Sequence, residues 1–324
     1  MTEFYLAPME GVTGYTYRNI FDEFYGGVDK YYTPFISSVG LKGKVLREVS
    51  KETNNVKKLI PQILTNNPET FLVIAEKLKG YGYEEVNLNI GCPSRTVTAK
   101  GRGGAMLRDT YALSEFLKEI TDKCPVSISL KTRMGIESLS EWPQILKVFN
   151  EFPIKELIVH SRLLREMYNG NAHMDIFAES FNYTDIPLCY NGDIRDVHSF
   201  NALVDVCPHV KAVMLGRGII ANPSLAEELK NIKKNNNKCD DKSSDIISGE
   251  REHKGIDETF IRFHDKLFNT YSELFFGDKQ MLFKMKELWT YWNTYLNIDS
   301  KLYKKIIKSK TIAEYSNLVV ALGL

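Results

Sequence analysis

The sequence predicts an α/β fold, a parallel (β/α)8 barrel of the TIM type, followed by a small C-terminal domain made only of helices. Eight short β-type runs alternate with helical segments over about 225 residues. A repeat of that length fits a closed barrel better than an open sheet. Helical periodicity alone then continues to the C-terminus, which predicts the second domain.

The eight predicted strands are short runs rich in apolar and β-branched residues. In chain order they span residues 4–9, 31–36, 59–64, 85–90, 126–134, 156–162, 186–192 and 212–218. Most of the segments between them repeat apolar residues at helical spacing, as in ETFLVIAEKLKGYG and YALSEFLKEITDK. The second βα unit has the weakest helical pattern, in SSVGLKGKVLREVS.

Composition divides the chain into three parts. Residues 1–234 form the predicted barrel, and residues 256–324 form the predicted helical domain. Residues 235–255 between them are polar and almost without bulky apolar side chains, which is typical of a linker or a flexible insertion.

The overall composition is that of an ordinary globular protein, with 43% apolar residues, 26% charged residues and a formal net charge of +1. Local basic patches would therefore have to bind any polyanion. No apolar run approaches the roughly 18 residues of a membrane span and the N-terminus lacks a signal-peptide pattern, so a cytoplasmic protein is expected. The five cysteines show no CxxC spacing, which argues against a disulfide framework and against a metal site.

Polar side chains collect on the inward-facing parity of five neighbouring strands, close to their carboxyl ends. The fourth strand carries Asn87 and Asn89 on that face, and the fifth carries Lys131 and Arg133. The other members are Gln62, His160, Arg162 and Asn191. Burying an unpaired cation is costly, so these positions predict a polar site at the barrel mouth. Any one of them alone is also compatible with a hydrogen-bonded core residue.

The loops after the seventh and eighth predicted strands indicate an anion site, because TIM barrels often bind phosphate there. Gly216 and Gly218 would let a phosphate approach the backbone, and Arg217 would complete its charge. Lys131 and Gln62 would lie across the mouth from these loops. The arrangement predicts a phosphorylated planar cofactor over the barrel.

A series of short motifs lies at or directly after the predicted strands, in the order LAPMEGVT, PQILTNNPETF, VNLNIGCPS, GGAML, LKTRMG, VHSR, NGDI and AVMLGRG. Together they resemble the tRNA-dihydrouridine synthases over residues 4–229, and NLNIGCPS is the most specific of them. The resemblance implies an FMN enzyme that uses NADPH to reduce uridine in tRNA to 5,6-dihydrouridine. It also implies a C-terminal helical domain that binds tRNA.

The same resemblance implies roles for individual residues. Ala7, Pro8 and Met9 would line the flavin, Gln62 would hydrogen-bond its ring, Lys131 would stabilise its anionic reduced form, and His160 would contact it. Asn191, Gly192, Asp193, Gly216 and Arg217 would hold its phosphate, and Asn89 and Arg162 would contact the uracil.

Cys92 would act as the general acid. Hydride would add to C6 of the uracil and the thiol would deliver a proton to C5, a role that suits a thiol because its ordinary pKa near 8.5 keeps it protonated at neutral pH. Gly91 and Pro93 would fix the turn that carries Cys92, and the glycine-rich segment 100–104 is predicted to form a mobile flap over the site. A lone cysteine is more often a small buried apolar residue, so the prediction depends on its surroundings.

A basic stripe in the last domain is the best candidate for RNA contact. Lys301, Lys304, Lys305 and Lys308 follow the i, i+3, i+4, i+7 spacing of one helix face, and Lys100, Arg102 and Arg165 would add charge near the barrel mouth. A solvated helix face would show the same spacing. The predicted partner is tRNA, no protein partner is predicted, and a monomer is expected.

Two alternatives are compatible with parts of this pattern. A related FMN barrel that acts on a free pyrimidine or another small molecule would explain the cofactor residues but not the helical domain. A barrel that has lost its chemistry and only binds RNA would explain the helical domain but not an intact Cys92. The sequence contains no motif that specifies which uridine of tRNA is reduced, or that distinguishes NADPH from NADH.

Overall fold

The computed structural model describes residues 2–236, 256–296 and 298–324. Its centre is a parallel sheet of nine segments: β1 (Glu3–Leu6), β2 (Lys30–Tyr32), β3 (Leu59–Ile60), β4 (Gln62–Ile63), β5 (Glu85–Ile90), β6 (Ser127–Arg133), β7 (Leu157–His160), β8 (Leu188–Asn191) and β9 (Ala212–Leu215). Their order across the sheet is β3-β2-β1-β9-β8-β7-β6-β5-β4.

The two ends of this sheet are consecutive pieces of one strand, so the barrel is nearly closed. β3 pairs with β2, while β4 pairs with β5, and Pro61 lies between the two pieces. Proline has no N–H to donate to a ladder, which interrupts the strand at this residue. A parallel bridge between Ile36 and Ile63 extends the contact between the second and third strands. The predicted eight-stranded TIM-like barrel is therefore confirmed.

Helices follow the strands in the expected alternation. They are α1 (Tyr15–Phe24), α2 (Lys44–Val49), α3 (Pro68–Gly80), α4 (Arg95–Thr98), α5 (Thr110–Lys123), α6 (Trp142–Phe149), α7 (Met174–Glu179), α8 (Val197–Val206), α9 (Arg217–Ala221) and α10 (Leu225–Asn236). Local sequence sets several of their starts: the side chain of Asn67 accepts the N–H of Thr70 at 2.7 Å, and that of Asp109 accepts the N–H of Ala112 at 3.0 Å. Each such cap contributes about 1 kcal/mol. The weak pattern of the second unit corresponds to a short α2.

Strand parity separates two apolar regions. Val86, Leu88 and Ile90 of β5 face outward into the main core, between the sheet and the helices. Tyr5 and Met214 belong to a second, smaller cluster inside the barrel. The barrel interior is thus filled by side chains below the mouth, which leaves the polar residues of the same parity at its carboxyl end.

Four helices form the C-terminal part of the chain: α11 (Glu258–Leu274), α12 (Asp278–Trp292), α13 (Ser300–Lys308) and α14 (Ile312–Val320). Phe263 of α11 packs edge-on against Tyr17 and Tyr25 at centroid distances of 5.9 and 5.1 Å. The ammonium group of Lys284 in α12 donates to the carbonyl of Gly11, just after β1. Helix α11 therefore packs against α1, and α12 contacts the loop after β1.

The division of the chain into domains stays a prediction. Helix α10 runs to Asn236, two residues past the predicted end of the barrel at 234. The rest of the predicted linker, 237–255, lies outside the described residues. None of the helices within the described ranges is long and apolar enough to cross a membrane.

Candidate active site

Strand register brings the polar residues of the inward parity to three successive levels at the carboxyl end of the barrel. The lowest level holds Gln62, Asn87 and Ser129, the middle level Asn89 and Lys131, and the highest Arg133, His160 and Asn191. Parallel strands place residues of one level side by side, so the polar site follows from the pairing of five strands.

Every backbone polar group of the turn formed by Gly91 and Cys92 has a hydrogen-bond partner. The N–H groups of Gly91 and Cys92 donate to Asn89 Oδ1 at 3.1 and 3.0 Å. The carbonyl of Gly91 accepts from Arg133 Nε at 3.0 Å, and that of Cys92 accepts from the N–H of Gly104 at 3.0 Å. Cys92 itself is half-buried and free of any disulfide. The turn is therefore held on both sides while its cysteine stays partly accessible.

A relay of side-chain amides fixes Asn89 from below. Its Nδ2 donates to Gln62 Oε1 at 2.9 Å, and Gln62 Nε2 donates to Asn87 Oδ1 at 2.8 Å. Asn87 Nδ2 in turn donates to Ser129 Oγ at 3.0 Å. Because Gln62 is only 1% exposed, its main contacts are within the protein. The relay determines which way each amide points and so orients the cap on the Cys92 turn.

The glycine-rich segment after the turn packs tightly at its end. Gly103 has φ +59°, and a Cβ there would lie 2.8 Å from Val97 Cγ1 and 2.9 Å from the carbonyl oxygen of Cys92. A Cβ at Gly104 would overlap the side chain of Leu164. Both glycines are buried, so they serve close packing, and the part of the predicted flap that reaches solvent is 100–102.

Cationic side chains dominate the electrostatics of the mouth: Lys131, Arg133, Arg162, Arg195 and Arg217. Within the described residues, Lys131 and Arg133 have no ion-pair partner. Burial first, and then the neighbouring Arg133 guanidinium, lower the pKa of Lys131 to about 8. Burial likewise lowers the pKa of Arg133 to about 10. Uncompensated positive charge at a buried site favours an anionic ligand.

His160 is neutral in this setting. Burial lowers its pKa well below 6.5, and the nearby cations Arg133 and Lys131 lower it further. Its Nε2 lies 3.2 Å from Arg162 Nη1. A guanidinium only donates hydrogen bonds, so Nε2 accepts, and the imidazole proton is assigned to Nδ1. The histidine can therefore hydrogen-bond a ligand without adding charge.

Asp193 gathers three guanidinium groups at one edge of the mouth. Its carboxylate accepts from Arg162, from Arg217 at 2.9 Å, and lies 3.6 Å from Arg195. Arg162 is 1% exposed and also donates to the carbonyls of Asn169 and Gly170. The predicted uracil contact by Arg162 is not tested by this geometry and stays a prediction.

The loops predicted to hold a phosphate lie against each other. A Cβ at Gly218 would overlap the carbonyl of Ile194, so the glycine lets α9 approach the loop after β8. A Cβ at Gly216 would sit 3.6 Å from Ala7 Cβ and 3.9 Å from Met9 Sδ. The carboxyl ends of β1, β8 and β9 are therefore adjacent, as an anion site shared by them requires. The predicted Pro8 is half-buried between Ala7 and Met9.

Two further predicted phosphate residues have structural contacts. Asn191 Nδ2 donates to the carbonyl of Met214 at 2.9 Å, which ties β8 to β9. A Cβ at Gly192 would overlap the ring of Tyr190. Their backbone remains at the mouth, and their role toward a ligand stays a prediction.

A loop after β7, residues 163–170, borders the mouth next to Asp193. Tyr168 is 55% exposed, and the guanidinium carbons of Arg133 and Arg217 each lie 5.4 Å from its ring centroid. The ring of His160 lies 5.9 Å away. This aromatic group was not among the predicted site residues, although it lies six residues after Arg162, the last residue of the HSR motif.

The predicted RNA contacts lie outside this buried cluster. Lys100 and Arg165 are exposed, and Arg102 is half-buried with its Nε 3.4 Å from Asn66 Oδ1. The four lysines of the basic stripe, Lys301, Lys304, Lys305 and Lys308, are all exposed along α13. The four lysines therefore lie exposed on one helix of the C-terminal part, and their contact with RNA stays a prediction.

Three residues near Cys92 were missed as functional candidates. The sequence places Arg133 and Asn87 on the inward parity without assigning them a role, and it assigns no role to Tyr168. Their partners are backbone carbonyls and side chains from other strands, for which the sequence has no local signal.

The chain matches the family model described as "Dihydrouridine synthase (Dus)" over residues 5–294. A probable tRNA-dihydrouridine synthase of Staphylococcus aureus (strain COL) is 26% identical over 329 aligned positions, which cover 96% of this chain and 90% of that protein. The tRNA-dihydrouridine(16) synthase of Cupriavidus necator is 26% identical over 244 positions, covering 72% of this chain and 74% of that one. A solved N-(5'-phosphoribosyl)anthranilate isomerase from Pyrococcus furiosus aligns with a TM-score of 0.46 at 12% identity, over 72% of this chain and all of that one.

The family match covers the barrel and continues through α11 and α12, and the motifs of the site lie within it. The chain is an enzyme of the dihydrouridine synthase family.

Proposed function

We propose that the protein reduces specific uridines of tRNA to 5,6-dihydrouridine, with FMN as its cofactor and NADPH as reductant. The observation that carries the proposal is the placement of a partly accessible Cys92 on a fully hydrogen-bonded turn beside an uncompensated cationic mouth. The cationic mouth suits an anionic cofactor, and the fixed cysteine suits a proton donor.

The residues of the mouth fit FMN by charge. Lys131 has no ion-pair partner within the described ranges, and an anionic cofactor would compensate its charge. Ala7, Pro8 and Met9, with Lys131 and His160, would line the ring system, while Asn191, Gly192, Asp193, Gly216 and Arg217 would surround the phosphate. When bound, FMN supplies the hydride that adds to C6 of the uracil.

Asp193 would act on the phosphate only indirectly. A carboxylate repels a phosphate, but Asp193 holds the guanidinium groups of Arg162 and Arg217 in place. Arg217 is 40% exposed, so it can donate to a ligand while it keeps its ion pair. The arginines would therefore face the anion, with Asp193 behind them.

Cys92 would donate the proton that C5 of the uracil receives. Its turn leaves no backbone group free to rearrange, so the position of the thiol is set before substrate binds. Asn89 uses one of the two N–H bonds of its amide nitrogen for Gln62. The other would be free to bind a uracil carbonyl, which supports the predicted substrate contact by this residue.

A tRNA substrate requires that the target base leave its stack to reach the barrel. Lys100, Arg102 and Arg165 around the mouth, with the α13 lysines, would bind phosphates of the RNA. We assign catalysis to residues 1–234 and tRNA binding mainly to residues 256–324. The contact of α12 with Gly11, directly after β1, supports this division.

The test compares two substrates. Enzyme reduced anaerobically with NADPH is mixed with unmodified tRNA transcript or with free uridine, and flavin reoxidation and dihydrouridine are measured. We expect rapid reoxidation by tRNA and dihydrouridine at a defined position, and little reaction with uridine. Equal rates would favour the small-molecule reductase, and protein that cannot be loaded with FMN would exclude both enzymes.

A further inference from the structure

The guanidinium of Arg133 in β6 donates hydrogen bonds to backbone carbonyls of two different loops. Its Nε donates to Gly91 O at 3.0 Å, its Nη1 to Leu163 O at 2.8 Å and its Nη2 to Met167 O at 2.6 Å. The residue is 0% exposed. It therefore connects the turn that precedes it in the barrel, after β5, to the loop that follows, after β7.

The loop on the far side of this bridge is held in an unusual conformation. Met167 has φ +52°, and no other non-glycine residue in the described ranges has a positive φ. Such a conformation costs of order 1–2 kcal/mol and persists only where its surroundings fix it. Arg133 donates to the carbonyl of Met167, and Arg162 donates to the carbonyls of Asn169 and Gly170 at 3.1 and 2.7 Å.

The turn on the near side has a matching constraint. Gly91 lies directly on the backbone of β6, because a Cβ there would be 3.0 Å from the carbonyl carbon of Thr132. Arg133 is the next residue of that strand, and it reaches back to the carbonyl of Gly91. A shift of Arg133 would therefore be transmitted to Cys92 through a single peptide unit.

Arg133 cannot be a substrate contact, because it is fully buried and three of its five N–H groups already have acceptors. It has no ion-pair partner within the described residues, and the acceptors of its N–H groups are backbone carbonyls. Burying a cation without a counter-ion is unfavourable in free energy, so stabilising the fold is a poor explanation for this residue. Its geometry suits a bridge between two functional segments.

We propose that Arg133 is a positioning residue that couples the Cys92 turn to the loop 163–170, and so sets the place of the cysteine against the wall formed by Tyr168. The proposal rests on the proposed role of Cys92 as proton donor. A misplacement of about 1 Å can slow a reaction by roughly 100-fold, which is why such a bridge would matter.

The test uses Arg133→Lys, which keeps the charge but can reach only one of the three carbonyls at a time. The matched control is Arg18→Lys, because Arg18 in α1 is also 0% exposed and also donates to backbone carbonyls, those of Thr13 and Glu48 at 2.9 and 3.0 Å. Hydrogen exchange is followed in peptides covering 91–104 and 163–170. Alkylation of Cys92 by iodoacetamide is measured against Cys124, which is also half-buried.

We expect Arg133→Lys to lose exchange protection in both segments together and to raise the alkylation rate of Cys92 at least about threefold. Turnover with tRNA should fall at least about tenfold in kcat, with KM and NADPH-driven flavin reduction within about twofold of the native values. Arg18→Lys should lower Tm without these effects. The proposal fails if the two segments respond separately, if neither responds, or if Arg18→Lys behaves in the same way.

A second variant, Arg133→Gln, covers the case in which the lysine variant does not fold. Loss of fold or of FMN binding in both variants would make Arg133 a core residue and would overturn the proposal. Exchange and alkylation require no turnover, so they test the bridge even if Cys92 proves not to be the proton donor. Failure of the proposed reaction would instead appear as full activity of a Cys92→Ala variant.

Discussion

The backbone N–H of Cys92 donates a 3.0 Å hydrogen bond to the side chain of Asn89, three residues earlier in the chain. The same oxygen accepts the N–H of Gly91 at 3.1 Å. Asparagine side chains commonly satisfy nearby backbone groups in this way and so stabilise turns. The motif NIGC therefore contains both the cysteine and the residue that fixes its turn.

Asn89→Ala removes the acceptor for the N–H groups of Gly91 and Cys92. Two buried N–H groups would lose their acceptor, so we expect a loss of about 1–3 kcal/mol in the free energy of unfolding and slower reduction of tRNA. Asn89→Asp keeps the acceptor but not the donor to Gln62, and it should recover most of the stability. Urea denaturation and single-turnover reoxidation measure the two effects. Equal stability of the alanine variant and the native protein would refute the capping role.

Cys92→Ala should leave FMN bound but reduce dihydrouridine formation by about 100-fold or more, because general acid catalysis contributes factors of this size. Cys124→Ala is the matched control, since Cys124 is also half-buried but follows α5, away from the mouth. Flavin absorbance reports binding, and mass spectrometry of the tRNA reports product. Native turnover by the Cys92 variant would disprove the proton-donor role.

Affinity for FMN should fall as pH rises through about 8, where Lys131 loses its proton. Protonated Lys131 attracts the anionic cofactor, so bound FMN should raise the pKa of Lys131. Flavin fluorescence titrations between pH 7 and 10 measure this, and the Lys131→Gln variant should show no inflection near pH 8. The same slope in both proteins would show that another group titrates.

The free energy of unfolding of the cofactor-free protein should rise with pH, whereas the affinity for FMN falls. The folded-state pKa of Lys131, about 8, lies below the roughly 10.4 expected in the unfolded chain. Between these values the unfolded state binds more protons, so the contribution of Lys131 to stability rises with pH. Urea denaturation of the apo-protein should show this rise, and Lys131→Gln should reduce it.

Gly103→Ala should cost more stability than Gly43→Ala, although the two glycines have similar φ values of +59° and +55°. A Cβ at Gly43 meets nothing within 4 Å, so only the backbone cost of about 1 kcal/mol applies. A Cβ at Gly103 would push against the carbonyl of Cys92, so turnover should fall as well. Urea denaturation and tRNA turnover of the pair separate packing from backbone strain. Identical behaviour would contradict the close packing.

The double variant Lys304→Gln, Lys308→Gln should weaken tRNA binding and reduce its dependence on salt. Each phosphate contact contributes about 0.7–0.9 to the slope of log K against log salt, so the slope should fall by roughly 1–2. The control is Lys118→Gln, Lys123→Gln on α5, where both lysines are exposed on the outside of the barrel. Binding titrations at several salt concentrations measure the slopes. Equal slopes in the two variants would refute the stripe as an RNA contact.

Local sequence determined the barrel and the direction of its side chains. The predicted strand 85–90 coincides with β5, and 126–134 contains β6, because alternation of polar and apolar residues is a property of each strand alone. The same alternation assigned Asn89, Lys131 and His160 to the inward face, and the structure places all three at the mouth. The NLNIGCPS motif located the cysteine turn.

The tertiary structure decided which groups those side chains bind. Arg133 and Arg162 bind carbonyls of residues 163–170, and a carbonyl is common to every residue, so no sequence pattern marks it as a partner. Gly103 and Gly104 were predicted to be part of a flap, yet they are buried against Cys92 and Leu164, which are distant in sequence from one another. Only the pairing of β5, β6 and β7 brings these loops within hydrogen-bond distance. One short motif identifies the cysteine in the sequence, whereas its position depends on three neighbouring strands.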